Sequence, residues 1–233
     1  MILRLRLEGP MVAFGATAVD ALRPVQDWPA GSFICGLLAN ALGWRREERE
    51  RLNHLQERIR YAALLKRPGK PLNDFQTALL NGEDSGWTTR GQPEERKGGA
   101  DTHKNPHILR KGYRSDVSVA VAVSLHPSDE EPSLKAVAKA VMAPARPLFL
   151  GRKSCIPEAP IFGGVSDGDC LLSALKEEAG DSDPICVTPW DGPMVAGLQI
   201  FYATDRRDWI GGLHAGRTRL ARGRLSCFLE AVR

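Results

Sequence analysis

Apolar residues alternate with polar residues in several stretches of the chain, which is the pattern of half-buried β-strands. In residues 2–7, leucines occupy one predicted face and arginines the other, and the Gly9-Pro10 pair is predicted to end this strand. The clearest strand runs from Val117 to Leu125, with a valine or leucine at every second position. Weaker patterns predict further strands at residues 60–65, 198–203 and 224–232.

A second pattern, with apolar residues three and four positions apart, predicts helices. Two of these helices have a serine as the predicted N-cap, Ser32 and Ser133, whose hydroxyl can accept a hydrogen bond from the first turn. The predicted helices are Phe33 to Leu42, Glu47 to Ile59, Leu134 to Met142 and Cys170 to Glu178.

Residues 66–115 follow neither pattern, because glycine, proline and charged residues interrupt every apolar run. A segment of this length without periodicity inside a compact domain is usually functional or disordered. When it is treated as an insertion, the predicted order is strand, helix, strand, insertion, strand, helix. This is the order of a ferredoxin-like unit, so the sequence predicts an α+β fold.

Length and composition limit the class of protein. The chain has 233 residues, of which 42% are hydrophobic and 26% charged, as in a globular protein of one or two domains. Its longest apolar run, residues 33–42, is far shorter than the roughly 20 residues that span a bilayer, so we expect a soluble, cytoplasmic protein without a membrane partner. The five cysteines are scattered without metal-ligand spacing, which predicts reduced thiols and no metal site.

Positive charge is modest overall but locally concentrated. The formal net charge is +4, and a mild excess gathered in patches favours a polyanionic partner. The densest patch lies in the insertion and contains seven cations against three acids: Arg90, Arg96, Lys97, Lys104, Arg110, Lys111 and Arg114. Trp87 and Tyr113 flank this patch, and cations combined with aromatic rings are typical of single-strand nucleic-acid binders. A solvated loop that carries charge for solubility is an equally open interpretation.

Two histidines in the same insertion raise the question of metal binding or catalysis. His103 and His107 have the spacing of two helical ligands, but Pro106 and nearby glycines disfavour a helix, and no further ligand completes a metal site. A metal-independent ribonuclease needs a general acid, a general base and a cation beside the phosphate. Those residue types are present, without any fixed geometry, in one set: His103, Lys104, His107 and Tyr113.

Two further basic stretches lie outside the insertion. Gly151-Arg152-Lys153 lacks the spacing of a Walker phosphate-binding loop, so we do not expect a nucleotide triphosphatase, but its two cations can contact a nucleic-acid backbone. The other interpretation is a basic surface turn. Residues 217–224 carry four arginines, which can touch RNA or a partner subunit, or protect a strand edge from aggregation.

Five motifs follow one another over roughly the first two thirds of the chain. They are Leu5 to Gly15 (LRLEGPMVAFG), Arg23-Pro24 with Trp28-Pro29 and the helix from Gly31 to Gly43, Asp74 to Thr77 (DFQT), Arg110 to Tyr113 (RKGY) leading into Asp116, and Pro147 to Cys155 (PLFLGRKSC). In this order they resemble signatures of the CasD family, the guide-handle subunits of type I-E CRISPR Cascade complexes. Val12 and Phe14 depart from the family's glutamine and tryptophan, and the C-terminal third matches poorly.

The resemblance implies a RAMP fold, in which a ferredoxin-like (RRM-like) domain spans residues 1–150. A basic thumb would be inserted at about 74–114, and a smaller β-rich C-terminal subdomain would span residues 151–233. It also implies a non-catalytic antiviral-defence protein that binds and caps the 5′ handle of the guide RNA (crRNA). The implied partners are the Cascade backbone subunit, the large PAM-recognising subunit and, indirectly, target DNA; no cofactor is expected.

The resemblance and the charge pattern together predict the RNA-binding residues. Thumb cations would neutralise phosphates, while Arg23 and the Arg152-Lys153 loop would help to hold the handle. The predicted set is Arg23, Arg90, Lys97, Lys104, His107, Arg110, Lys111, Tyr113, Arg114, Arg146, Arg152, Lys153 and Ser154. No residue of this set is predicted to be catalytic.

Two other functions stay open at this point. In type I-C complexes the related subunit itself cleaves the precursor CRISPR RNA, and such a metal-independent endoribonuclease would draw on the histidine set named above. A general RNA-binding module unrelated to CRISPR would bind RNAs regardless of their 5′ sequence and would need no backbone subunits. The type I-E signatures favour the handle-binding role.

Overall fold

The structure is a computed structural model that describes residues 1–78, 86–87, 93–94 and 106–232. Its strands are β1 (Ile2–Val12), β2 (Leu22–Arg23), β3 (Ile59–Arg67), β4 (Lys70–Ala78), β5 (Gly86–Trp87), β6 (Pro93–Glu94), β7 (His107–Leu125), β8 (Phe162–Ser166), β9 (Ile185–Pro189), β10 (Leu198–Ala203), β11 (Arg206–Asp208), β12 (Leu213–Ala215) and β13 (Thr218–Arg224). Its helices are α1 (Gly31–Ala41), α2 (Arg49–Arg58), α3 (Leu134–Met142), α4 (Leu171–Ala179) and α5 (Leu225–Ala231).

A nine-stranded sheet organises the fold. Seven strands follow the order β10-β13-β9-β3-β7-β1-β8, and β2 and β4 pair with the first half of β7. Neighbours are antiparallel, except that β2 runs parallel to β7. Because β7 is 19 residues long, its first half projects beyond β1 and β3, where it forms a three-stranded sheet extension with β2 and β4. The expected combination of helices with a sheet is confirmed, and the sheet is largely antiparallel.

The alternating patterns of β1 and β7 create two core faces. Leu5 lies opposite Val121 in register, so the β1 leucines and the β7 valines share one face, where both of these side chains are at most 1% exposed. Helices α1, α2 and α3 cover this face. On the other face, Ile2, Ala62 and Ala120 pack with residues of α4 and α5. The sheet is therefore buried on both sides over its central strands.

The four predicted helices are all confirmed, with ends that differ by at most two residues. Ser133 caps α3 as expected, because its hydroxyl accepts a hydrogen bond from the Ala136 N–H at 3.3 Å. Ser32 is not the N-cap of α1, since this helix begins one residue earlier. Its first N–H, from Gly31, instead donates to the Asp205 carboxylate at 2.8 Å. A residue distant in sequence therefore satisfies the start of α1.

Two predictions underestimated the extent of regular structure. β1 does not end at Gly9-Pro10, because Gly9 still pairs with Val117 and the strand continues to Val12. The segment 66–115 is not without regular structure either, since β4 and the first half of β7 form an antiparallel ladder within it. The predicted strand at 198–203 is confirmed as β10.

The strand predicted at residues 224–232 is wrong. Residues 224–232 contain helix α5 rather than a strand, and its buried positions, Leu225 and Phe228, are three residues apart. The arginine-rich stretch just before it is β13, which lies between β10 and β9. It therefore does not protect a strand edge.

The strands after residue 150 extend the same sheet at both ends, β8 beside β1 and β9 beside β3. The division into domains at residue 150 stays a prediction. No helix in the described part of the chain is long and apolar enough to cross a membrane.

Candidate nucleic-acid interface

A tight loop at residues 150–155 lies against the end of β1 and is fixed by backbone hydrogen bonds. Leu150 O accepts from the Ala13 N–H at 2.9 Å, and the Leu150 N–H donates to Cys155 O at 2.8 Å. Both ends of the loop are fully buried. Gly151 has a φ of +105°, and a Cβ there would lie 2.0 Å from Ala13 O, so only glycine fits. The loop therefore presents residues 152–154 from a fixed base.

Arg152 joins this loop to the sheet extension. Its guanidinium donates to Gly112 O at 2.8 Å and to Arg23 O at 3.2 Å. Its Cζ also lies 4.5 Å from the ring centroid of Tyr113, in cation–π geometry. Tyr113 is only 6% exposed, so its ring supports Arg152 and does not form an open stacking platform. The structure thus brings together three predicted residues, with Arg152 already engaged inside the protein.

A cleft opens between this loop and the hairpin formed by β11 and β12; it is termed the loop cleft. Its volume is about 250 Å³. The lining residues come from the segment between β1 and β2, from β2 and the residues after it, from the start of α1, from the loop and from the hairpin. They are Ala13, Phe14, Gly15, Ala16, Ala18, Arg23, Pro24, Val25, Ser32, Phe33, Gly151, Arg152, Arg207, Trp209 and His214. Of these, sequence reasoning singled out Arg23 and Arg152 as RNA-binding residues, and missed the hairpin residues.

Polar side chains of α2 hold the hairpin in place by hydrogen bonds to its backbone. Gln56 donates to Arg207 O at 2.8 Å and accepts from the Arg207 N–H at 3.0 Å. Asn53 accepts from the Trp209 N–H at 3.1 Å. Gln56 is 8% exposed, so its bonds are shielded from competing water. These contacts fix the cleft wall in which Arg207 and His214 are directly paired across the hairpin.

Arg207 gives this wall positive charge, and no Asp or Glu lines the loop cleft among the described residues. The Arg207 guanidinium donates to Gly212 O at 2.7 Å, whereas its Nε and the His214 Nδ1 are buried without a hydrogen-bond partner among the described residues. Burial, and then the charge of Arg46, lower the pKa of Arg207. Burial, and then Arg207, lower the pKa of His214. A buried polar group without a partner costs about 1–3 kcal/mol.

A second depression follows α1 and is termed the α1 groove. Its volume is about 610 Å³, and its lining is mostly apolar: Ser32, Phe33, Gly36, Leu37, Asn40, Arg146, Pro147, Phe149, Gly151 and Lys153. Arg146 is held at its rim, because its Nε donates to Asn40 Oδ1 at 2.8 Å and its guanidinium also donates to Trp44 O. Lys153 and Ser154 are exposed at the tip of the loop. An apolar floor with cations at the rim suits a nucleobase and its phosphate.

The sheet extension carries further residues of the predicted set. Arg114 donates to two carbonyls of the β3–β4 turn, at 2.6 and 2.7 Å, so it stabilises the turn. Lys111 lies opposite Asp74, and Arg110 opposite Phe75. The Phe75 side chain is 58% exposed, and Arg110 is exposed as well. An exposed ring beside a cation is a second feature that sequence reasoning missed, although Phe75 belongs to a recognised motif.

Some predicted residues fall elsewhere. Arg90, Lys97 and Lys104 lie outside the described residues, as does His103 of the alternative nuclease set. His107 begins β7, and only its backbone is described. In the part of the chain that the structure describes, no three His, Cys, Asp or Glu side chains are grouped as metal ligands.

Sequence comparisons identify relatives along nearly the whole chain. Residues 2–212 match a family described as CRISPR-associated protein (Cas_Cas5). The CRISPR system Cascade subunit CasD of Escherichia coli (strain K12) is 32% identical over 216 residues, which cover 88% of this chain and 92% of that protein.

Solved structures show the same fold. A chain of a CRISPR RNA-guided surveillance complex superposes with a TM-score of 0.68 at 20% identity, covering 96% of this chain and 90% of the other. A crystal structure described as a Cas protein superposes with a TM-score of 0.63 at 20% identity, covering 97% of this chain and 95% of the other. At this level of identity the likeness concerns the fold alone.

Proposed function

The chain belongs to the CRISPR-associated Cas5 family, and from this premise we propose that it binds and caps the 5′ handle of a guide RNA in a Cascade complex, without cleaving the RNA. One observation carries the proposal. The loop cleft is lined by Arg23 and Arg207, and no Asp or Glu is among its described lining residues. Phosphate oxygens of RNA are acceptors of the kind that these side chains require. The similarity to CasD, a Cascade subunit, supports the assembly.

The handle would enter across the 150–155 loop. A phosphate in the loop cleft would accept from Arg207, with Arg23 of β2 adding positive charge to the lining. The exposed tip residues, Lys153 and Ser154, would contact the backbone on its way to the α1 groove, where Phe33 offers an apolar surface for a base. Arg152 would act indirectly, because its bonds to Gly112 and Arg23 hold the loop against the sheet.

The proposed architecture is a ferredoxin-like RAMP domain within residues 1–150. The strand order β8-β1-β7-β3, with helices α1 and α2 between β1 and β3 and helix α3 between β7 and β8, supports a ferredoxin-like unit. The segment after residue 150 contributes the fourth strand of this unit, β8. The basic thumb would be the excursion between β4 and β7, within about 74–114, and residues 151–233 would be the C-terminal subdomain. The thumb cations would neutralise guide phosphates next to the handle.

The proposed partners follow from the same family membership. The chain would contact the Cascade backbone subunit and the large PAM-recognising subunit, and it would meet target DNA only through the assembled complex. Such contacts would use exposed surface outside the loop cleft, such as Phe75 and its neighbours on the sheet extension.

The test is equilibrium binding of the purified chain to a labelled RNA that begins with the 5′ handle. Arg207→Gln removes the charge while keeping a polar side chain, and should weaken binding about 10- to 150-fold, as expected for a lost charge-assisted hydrogen bond of about 1.5–3 kcal/mol. Lys135→Gln is the matched control, since Lys135 is exposed on α3 and lines neither depression. Equal affinity for both variants would contradict the proposal.

A second candidate function is metal-independent cleavage of the precursor RNA, and one observation favours it. His214 lines the loop cleft opposite Arg207, and burial lowers the pKa of its imidazole, which suits it to act as a base there. Incubation of labelled repeat RNA with the chain and a chelator separates the two functions. The handle-binding proposal predicts intact RNA, whereas specific cutting that is lost in His214→Ala, His103→Ala or His107→Ala would identify a processing nuclease.

A further inference from the structure

The β11–β12 hairpin borders a second cleft on its other side, which is termed the arginine cleft. Its volume is about 570 Å³. It lies between the start of β3, the ends of β9 and β10 and the start of β13, and four arginines line it: Arg60, Arg206, Arg217 and Arg219. Successive side chains of a strand point to opposite faces. This alternation explains why Arg206 lines the arginine cleft while Arg207 lines the loop cleft.

Two of the four arginines are fixed by the protein itself. Arg219 donates to Trp190 O at 2.6 Å and to Gly192 O at 3.0 Å. Arg60 donates to Glu57 O at 2.7 Å and to a second carbonyl at 3.1 Å. Their side chains therefore form stationary positive charge in the wall of the cleft.

The other two arginines are available to a ligand. Arg206 and Arg217 are exposed, and neither side chain has a hydrogen bond or an ion pair with another described residue. The Cζ of Arg217 lies 5.0 Å from the ring centroid of Tyr202, and the Tyr202 side chain is 56% exposed. Arg217 covers one face of this ring, so a base would stack on the other face. An aromatic ring beside guanidinium groups is the arrangement on which single-stranded nucleic acids bind.

The acidic residues of the arginine cleft only partly offset this charge. Asp205 is 2% exposed and accepts hydrogen bonds from the Gly31 N–H at 2.8 Å and the Tyr61 hydroxyl at 2.9 Å. Its carboxylate is thus used inside the fold, and burial raises its pKa. Glu57 and Asp191 are exposed lining residues, which leaves four arginines facing two exposed carboxylates.

We propose that the arginine cleft binds the sugar–phosphate backbone of single-stranded nucleic acid outside the 5′ handle, with Arg206 and Arg217 at phosphates and Tyr202 beneath a base. The exposed ring favours this ligand over an acidic peptide, because each nucleotide carries a flat base beside its phosphate, whereas an acidic side chain carries a charge without a ring. Two sources share the chemistry, a guide RNA beyond its handle and a strand of DNA. The arginine cleft is separate from the handle site, since the hairpin stands between them.

The test measures the salt dependence of binding to labelled oligouridine and to oligodeoxythymidine, neither of which contains a handle. In Arg206→Glu/Arg217→Glu, the slope of log K against log salt should become shallower by about 1.4, because each neutralised phosphate of a single strand contributes about 0.7. The control is Lys135→Glu/Lys139→Glu, which has the same charge change at two exposed positions of α3, and its slope should match that of the unmodified chain.

Tyr202→Ala provides a second variant that changes no charge. It should weaken oligonucleotide binding about 5- to 150-fold, the effect of losing one stacked base. An effect on the RNA alone or on the DNA alone would identify the source.

Slopes equal to the control on both oligonucleotides would overturn the proposal. The proposal would also be overturned if the arginine-cleft variants kept their affinity for the oligonucleotides but lost affinity for polyglutamate, an acidic peptide, since that result would indicate a protein partner. Binding of an RNA that consists of the handle alone should be unchanged in the arginine-cleft variants and weakened in Arg207→Gln, so the two proposals succeed or fail separately.

Discussion

Replacement of Gly151 by alanine tests whether the close approach between the 150–155 loop and β1 shapes the loop cleft. Gly151 combines a φ of +105° with a Cβ position 2.0 Å from Ala13 O. The left-handed φ alone costs about 1–3 kcal/mol for a residue with a side chain. Backbone displacement would also break the hydrogen bonds that Leu150 makes with Ala13 and Cys155, at about 0.5–1.5 kcal/mol each. The expected loss in the free energy of unfolding is therefore about 2–6 kcal/mol.

Two other glycines separate the causes of this loss. Gly168 has a φ of +118° but open space around its Cβ position, and Gly15 has open space and no positive φ. Urea denaturation followed by circular dichroism should show a loss of about 1–3 kcal/mol for Gly168→Ala and within about 0.5 kcal/mol for Gly15→Ala. If Gly151→Ala unfolds at the same urea concentration as Gly15→Ala, the loop does not depend on that contact, and the reasoning is refuted.

Three further outcomes are expected from the same structure. Burial raises the pKa of Asp205 above its ordinary value of 3.8, so just above pH 3.8 the folded chain holds more protons than the unfolded chain and this group lowers stability as pH rises. In urea unfolding, Asp205→Asn should remove this contribution to the pH dependence of stability. The same pH dependence in the variant and the unmodified chain just above pH 3.8 would contradict the prediction. Burial lowers the pKa of His214 from 6.5, and a bound phosphate would raise that pKa again. Handle binding should therefore tighten as pH falls through 6.5 in the unmodified chain but not in His214→Gln. Equal pH profiles of binding in the two chains would argue against contact of His214 with the RNA. Ser133→Ala should lower the free energy of unfolding by about 1 kcal/mol through loss of the α3 cap, whereas Ser32→Ala, at a position that caps no helix, should show no capping loss.

The sequence predicted the centre of the fold because two strands there combine alternation with burial. The β1 leucines and the β7 valines are paired in register and face one core. β4 was missed because eight of its nine residues are exposed. Neither face of the strand is packed in the core, so the sequence there lacks an apolar residue at every second position. Helix α5 was predicted as a strand because seven residues are too few to distinguish the two periods, although the spacing of Leu225 and Phe228 is helical.

The candidate site was predicted only where a local motif carried it. The PLFLGRKSC segment indicated the 150–155 loop, and its glycine proved to be required by φ and by contact. Arg207 and His214 lie in strands of three residues, and their place at the cleft depends on bonds to Gln56 and Asn53, more than 150 residues away. The Gly211-Gly212 pair was the available sign of a hairpin turn. Arg152 and Arg114 are the opposite case, because their charge in the sequence predicted contact with RNA. In the fold, both guanidinium groups donate to backbone carbonyls of the protein itself.

The central claim is that handle RNA occupies the loop cleft. Its most direct test is photocrosslinking of the chain to an RNA that carries 4-thiouridine within the 5′ handle, followed by mass spectrometry of the adducts. The account predicts adducts on the aromatic and histidine residues of the cleft, chiefly Phe33, Trp209 and His214, all of which line it, and their suppression by unlabelled handle RNA. Specific adducts confined to other surfaces, with none on the hairpin or at the start of α1, would contradict it.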